Sequence, residues 1–179
     1  NLEATLEKAT AAGATITMPP MDVMTAGRMA KFSDPLGAHV SLWQAGDSHG
    51  MTPADNKPGT MCWNELIVKD TKTACDFYFK VFEWKIGQFH ESAAPGDYFG
   101  IQNNDRSNGG IMECNEATGE IPPHWNVYFA VETCKASVAK ATELGAVVCK
   151  DATQIEGVGE FAVIQDPQGA VFSIIQMNN

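Results

Sequence analysis

Hydrophobic and polar positions along the chain change period in a fixed order. "MCWNELIVKD", starting at Met61, alternates and is rich in β-forming residues, which predicts a strand. "TKTACDFYFKVFEW" follows, with Ala74, Phe77, Tyr78, Val81 and Phe82 at the spacing of one helical face. "KIGQFHE", "DYFGIQN" and "GGIMEC" then read as three short strands, with Asn108-Gly109 as a tight-turn signal between the last two. The series restarts at "HWNVYFAVE", passes through a helix in "CKASVAKATELGA", and closes with strands in "VVCKDAT", "EFAVIQD" and "AVFSIIQ". The order is β-α-β-β-β, twice. An offset of 63 relates the halves: Val68 falls on Val131, Lys72 on Lys135, Gly96 on Gly159, and Ile101-Gln102 on Ile164-Gln165.

A stronger repetition spans the whole chain. Moved along by 132 positions, residues 1–45 fall on 133–177 without a gap and with 14 identities. "FSDPLGAHVSLWQ" from Phe32 meets "IQDPQGAVFSIIQ" from Ile164, and Gly13 meets Gly145 just past the end of a helix. A gapless match of this length predicts a tandem duplication. Residues 1–45 then read as the closing part of a preceding copy, residues 46–60 as a Gly-, Pro- and Asp-rich linker, and residues 61–179 as a complete domain. On this reading the chain begins mid-domain.

Composition narrows the function. A formal net charge of −10 without any cluster of Lys and Arg argues against nucleic-acid binding, which needs such clusters to release counterions. No apolar run approaches the ~20 residues of a membrane span. Five cysteines (Cys62, Cys75, Cys114, Cys134 and Cys149) are an odd number without CxxC spacing, the pattern of reduced thiols, which predicts a cytoplasmic protein.

The paired modules, "DFYFKVFEW" in the first helix and the closing "DPQGAVFSIIQ", resemble the glyoxalase / bleomycin-resistance / extradiol-dioxygenase superfamily, the vicinal oxygen chelate fold. "PPHWNVYFAV" is similar, more narrowly, to tandem two-domain glyoxalase-like proteins. The resemblance implies an α+β fold in which paired βαβββ modules form an open eight-stranded cup, with a partial copy at the N-terminus. It also implies that four inward positions carry metal ligands in metal-using members. Carried over by motif, those positions are Trp63, Asn126, Gly110 and Ser173. None is an ordinary ligand for a divalent ion, so no metal and no other cofactor is expected.

Period-two alternation places Trp63, Glu65, His124, Asn126, Tyr128 and Ser173 in one concavity, with Gly110 and Met112 on the last strand of the first module. Such a set has apolar walls and a few convergent polar groups, as small-molecule sites do. Taken singly its aromatic members read as core filling, and the polar company tilts the set toward a site; His124, after Pro122-Pro123, reads as a rim residue. Trp125 alternates with Asn126 and is expected to face a helix or an interface. Glu65 in a partly apolar setting is the candidate general base. The expected function is binding of a small organic molecule without metal, for sequestration or presentation. The alternative is a lyase, isomerase or dioxygenase-type enzyme that uses Glu65 or a non-standard metal site. The N-terminal strands lack a partner half, and open edges seek pairing. That predicts a homo-oligomer, or docking of residues 1–45 on a neighbouring domain.

Overall fold

The computed structural model describes residues 1–50, 56–88, 97–115 and 121–178. Residues 51–55 of the expected linker, the last three residues of "KIGQFHE" and Gly96 lie outside the described residues. Among the described residues three helices and eleven strands follow in the predicted order: α1 (Leu2–Ala11), β1 (Thr15–Val23), β2 (Gly27–Ser33), β3 (His39–Ala45), β4 (Met61–Val68), α2 (Thr71–Phe82), β5 (Lys85–Gln88), β6 (Tyr98–Asn103), β7 (Arg106–Glu113), β8 (His124–Ala130), α3 (Cys134–Glu143), β9 (Val147–Ile155), β10 (Gly159–Gln165) and β11 (Val171–Met177). One sheet has the order β1-β2-β3; the other is eight-stranded and mixed, with the order β5-β6-β7-β4-β8-β11-β10-β9. The class is α+β. Two compact units divide the chain, one of residues 1–52 and 66–125, the other of residues 53–65 and 126–179.

In the first unit, α2 starts where Asp70 accepts a hydrogen bond from the Thr73 amide and ends where Glu83 turns left-handed. Its buried face is Ala74, Phe77, Tyr78 and Val81. That face shares one core with Leu2, Leu6 and Ala9 of α1, Ala30 and Phe32 of β2, and Ile101 and Ile111 of β6 and β7. Residues 1–45 thus bury their helical face against α2 within the chain, while β3 remains an edge strand. Lys8 on α1 pairs with Glu83 at 2.7 Å, but both side chains are well exposed and the pair adds little.

A buried polar chain runs through this core. Trp125 Nε1 donates to the Tyr78 hydroxyl, and that hydroxyl donates to Asp34 Oδ2, both at 2.9 Å. Asp34 Oδ1 also accepts the Leu36 and Ala38 amides. Burial, then the Asp34 carboxylate, push the Tyr78 phenol far above its ordinary range, so it serves as a donor. Trp125 therefore faces a helix, α2.

In the second unit, α3 packs on β9, β10 and β11 over a core of Cys134, Ala162, Ile164 and Ile174. The twice-written motif has the same local chemistry in both units. Asp166 Oδ1 accepts the Gln168 and Ala170 amides as Asp34 does those of Leu36 and Ala38. Gly37 (φ 104°) and Gly169 (φ 95°) take the left-handed position of the turn. The final glutamine has a shared task too. Gln44 accepts the Leu2 amide and Gln176 the Cys134 amide, each at the start of a helix where no intrahelical partner exists.

One local expectation fails. The β6–β7 turn is not Asn108-Gly109. It is Asn104-Asp105, both with positive φ (48° and 63°), the two-residue hairpin that such angles favour. Asn108-Gly109 lies inside β7, where the register shifts between Ile101↔Gly109 and Gln102↔Ser107. The extra residue is absorbed there as a bulge.

Candidate functional site

Strand alternation and the pairing of β8 with β11 assemble a polar cluster in the second unit. These strands run parallel with Tyr128 opposite Ser173, and Asn126 lies two residues before Tyr128 on the same face. Tyr128 donates to Glu65 Oε2 on β4 at 2.8 Å. Asn126 Nδ2 donates to the Ser173 hydroxyl at 2.7 Å. All four side chains are buried, with Ser173 at 0% and Asn126 at 5% exposure. The remaining amide oxygen, Asn126 Oδ1, is a buried acceptor with no hydrogen-bond partner among the described residues. With Nδ2 turned to Ser173, the open atom is the carbonyl oxygen, an acceptor. Such orphans are rare, because leaving one costs about 1–3 kcal/mol.

The same face, opposite α3, carries Phe161 on β10, whose ring centroid lies 6.3 Å from that of Tyr128. Lys150 Nζ of β9 stands 5.5 Å over the Phe161 ring. Trp63, two residues before Glu65 on β4, is half-buried. Behind the cluster the Cys62 thiol donates to the Tyr128 carbonyl at 3.4 Å, and burial pushes that thiol up to about 11. It is a packed thiol at neutral pH rather than a nucleophile.

In the first unit, Gly110 and Met112 lie on β7, and His124 opens β8. Gly110 is buried, and a β-carbon placed there would overlap the Tyr98 phenol oxygen and ring. Met112 is half-buried and pairs across the strands with Tyr98. His124 is half-buried and its Nδ1 donates to the Pro122 carbonyl at 2.8 Å.

The four positions carried over from the resemblance as metal positions thus present an indole, a glycine roofed by a tyrosine, and an amide and a hydroxyl bonded to each other. Divalent transition ions take imidazole, carboxylate or thiolate, and these residues do not fit one. Among the described residues no three His, Cys, Asp or Glu side chains converge.

Phe161 and Lys150 were not expected at the site, nor Tyr98 beside Gly110 in the first unit. The two aromatic residues were within reach of the 63-residue offset, which aligns "GDYFGIQN" with "GEFAVIQD" and so puts Tyr98 on Phe161. In their own units the two rings take comparable places, Tyr98 over Gly110 and Phe161 beside Tyr128.

Residues 61–175 match the family model described as a glyoxalase-like domain. The chain belongs to this family. It is 39% identical over 179 residues to "Putative glyoxylase CFP32" of Mycobacterium tuberculosis, covering 98% of this chain and 66% of that protein. It is 34% identical over 182 residues to "Anthracycline biosynthesis protein DnrV" of Streptomyces peucetius, covering 98% and 62%. The chain therefore spans roughly two thirds of the length of the curated relatives it matches. Among solved structures, the Mn(II)-bound glyoxalase from Novosphingobium aromaticivorans superposes with a TM-score of 0.63 at 16% identity, over 98% of this chain and 58% of that one. The 2,3-dioxygenase LapB from Pseudomonas sp. KL28 superposes with a TM-score of 0.61 at 14% identity, over 99% and 67%. At these identities the likeness is one of fold.

Proposed function

We propose that this glyoxalase-like chain binds a small organic molecule, without a metal, on the face formed by Glu65, Asn126, Tyr128, Ser173 and Phe161. One observation carries the reading: a 95% buried amide keeps one hydrogen-bonding atom open beside aromatic side chains. A polar group of the molecule would occupy it, and the rings supply apolar contact. The test is a thermal-shift screen followed by calorimetry in EDTA, on wild type and Asn126→Leu. Hits that persist in EDTA and weaken at least tenfold in the variant support the reading. Hits indifferent to Asn126, or lost in EDTA, overturn it.

The Glu65–Tyr128 pair favours a second reading, lyase or isomerase chemistry with Glu65 as base, because a buried carboxyl bonded to a phenol is a built acid–base pair. Following the bound molecule by NMR separates the two: turnover that disappears in Glu65→Gln while binding persists marks an enzyme. The edge of β3 supports self-association with either reading, and a monomer mass at all concentrations in light scattering removes that part.

A further inference from the structure

The face proposed above as the binding site has a charge layout that names its occupant more closely. Pairing registers place Tyr128, Ser173, Val163 and Lys150 in one row across β8, β11, β10 and β9. At one end of the row the groups are acceptors, Asn126 Oδ1 and the Glu65 carboxyl. In the middle are Val163 and the Phe161 ring, both half-buried. At the other end is Lys150, exposed, over that ring, and without a carboxylate partner among the described residues. From Asn126 on β8 to Lys150 on β9 is three strand spacings, roughly 14 Å between backbones, and the ammonium leans back over the β10 ring, which leaves roughly 10 Å to bridge.

We infer that the molecule this face takes is a flat, hydroxyl-bearing organic anion, with its hydroxyl donating to the Asn126 carbonyl and its anionic group on Lys150. This rests on the proposed site and fixes the chemical class within it. An open buried carbonyl asks for a donor and gains nothing from an ether or ester oxygen. The half-buried middle asks for an unsaturated ring system rather than a hydrated chain. The ammonium asks for a carboxylate or similar anion, in a protein whose net charge of −10 leaves few places for one. About two fused rings bridge the two ends.

Calorimetry with three probes tests the assignment: 6-hydroxy-2-naphthoate, its methyl ether and its methyl ester. The hydroxy acid should bind to wild type at least about tenfold more tightly than either derivative. Lys150→Met, an exposed substitution that leaves the core intact, should erase the difference between acid and ester and leave that between hydroxyl and ether. Asn126→Leu should do the reverse, and the wild-type comparison stands even if that variant folds poorly. Equal binding of all three probes overturns the inference, and so does a Lys150→Met variant that keeps the preference for acid. If other compounds of neutral or cationic type bind in an Asn126-dependent way while the naphthoates do not, the chemical class falls and the site stands. If nothing binds in an Asn126-dependent way, both fall.

Discussion

The Asp34–Tyr78–Trp125 chain allows an internal comparison that few folds offer. Asp34 and Asp166 begin the same turn and accept the same two backbone amides, but only Asp34 is also held by a buried phenol. Replacing Asp166 by Ala should cost the turn bonds alone, about 1 kcal/mol. Tyr78→Phe removes a donor from a carboxylate that is 5% exposed, worth about 1.5–3 kcal/mol, and leaves the Trp125 N–H unpaired, adding about 1 kcal/mol. Asp34→Ala loses both kinds of bond and should exceed Asp166→Ala by about 2 kcal/mol. Equilibrium urea unfolding of the single variants and of the Tyr78→Phe/Asp34→Ala double variant measures the coupling directly. The expected interaction energy is about 1.5–3 kcal/mol. Equal costs at Asp34 and Asp166, or a coupling below about 0.5 kcal/mol, would refute the claim that the phenol bond holds this core.

Gly110→Ala should destabilise by about 1–3 kcal/mol through overlap with Tyr98, and in a Tyr98→Ala background the same substitution should cost far less in urea unfolding; an equal cost in both backgrounds would mean that the ring is not the obstacle. Burial holds the Cys62 and Cys75 thiols up at about 11, so at pH 8 roughly one in a thousand is thiolate. Peptide mapping after brief alkylation should show exposed Cys149 modified first, and early labelling of Cys62 would contradict its packing. The Thr73 amide and hydroxyl hold the Asp70 carboxyl below its ordinary value, so its contribution to α2 is present above the unfolded pKa and lost as pH falls through the lowered folded one. An Asp70→Ala variant should therefore lose stability less steeply in acid titrations followed by circular dichroism, and an unchanged acid limb would count against the cap.

Much of the architecture was legible because period and motif agree at every level. Ala74, Phe77, Tyr78 and Val81 are both the predicted stripe and the buried face of α2, and the Asp-Pro-x-Gly motif forms the same turn at both of its occurrences. Asn108-Gly109 misled because an Asn-Gly pair serves a bulge as well as a turn, while Asn104 and Asp105 are among the few non-glycine types that accept positive φ. At the candidate site, alternation could say which residues share a face, but hydrogen bonds depend on register. That Asn126 meets Ser173, and Tyr128 meets Glu65, follows from β8 lying parallel to β11 and beside β4, which no local pattern encodes. Lys150 stayed hidden because its counterpart 132 positions earlier is Met18, so the repeat offered no hint of a charge there.

The tyrosine lying over Gly110 also constrains how this chain could change. A histidine or glutamate introduced at 110 would have to push its β-carbon through the Tyr98 ring, so that substitution alone brings a misfit before it brings a ligand. Asn126 Nδ2 and the Ser173 hydroxyl are bonded to each other and would have to be uncoupled as well. A route that placed metal ligands at these positions would therefore cross variants that are less stable and have nothing yet to bind. That places a barrier in sequence space before ligands at these positions, although the fold would carry them.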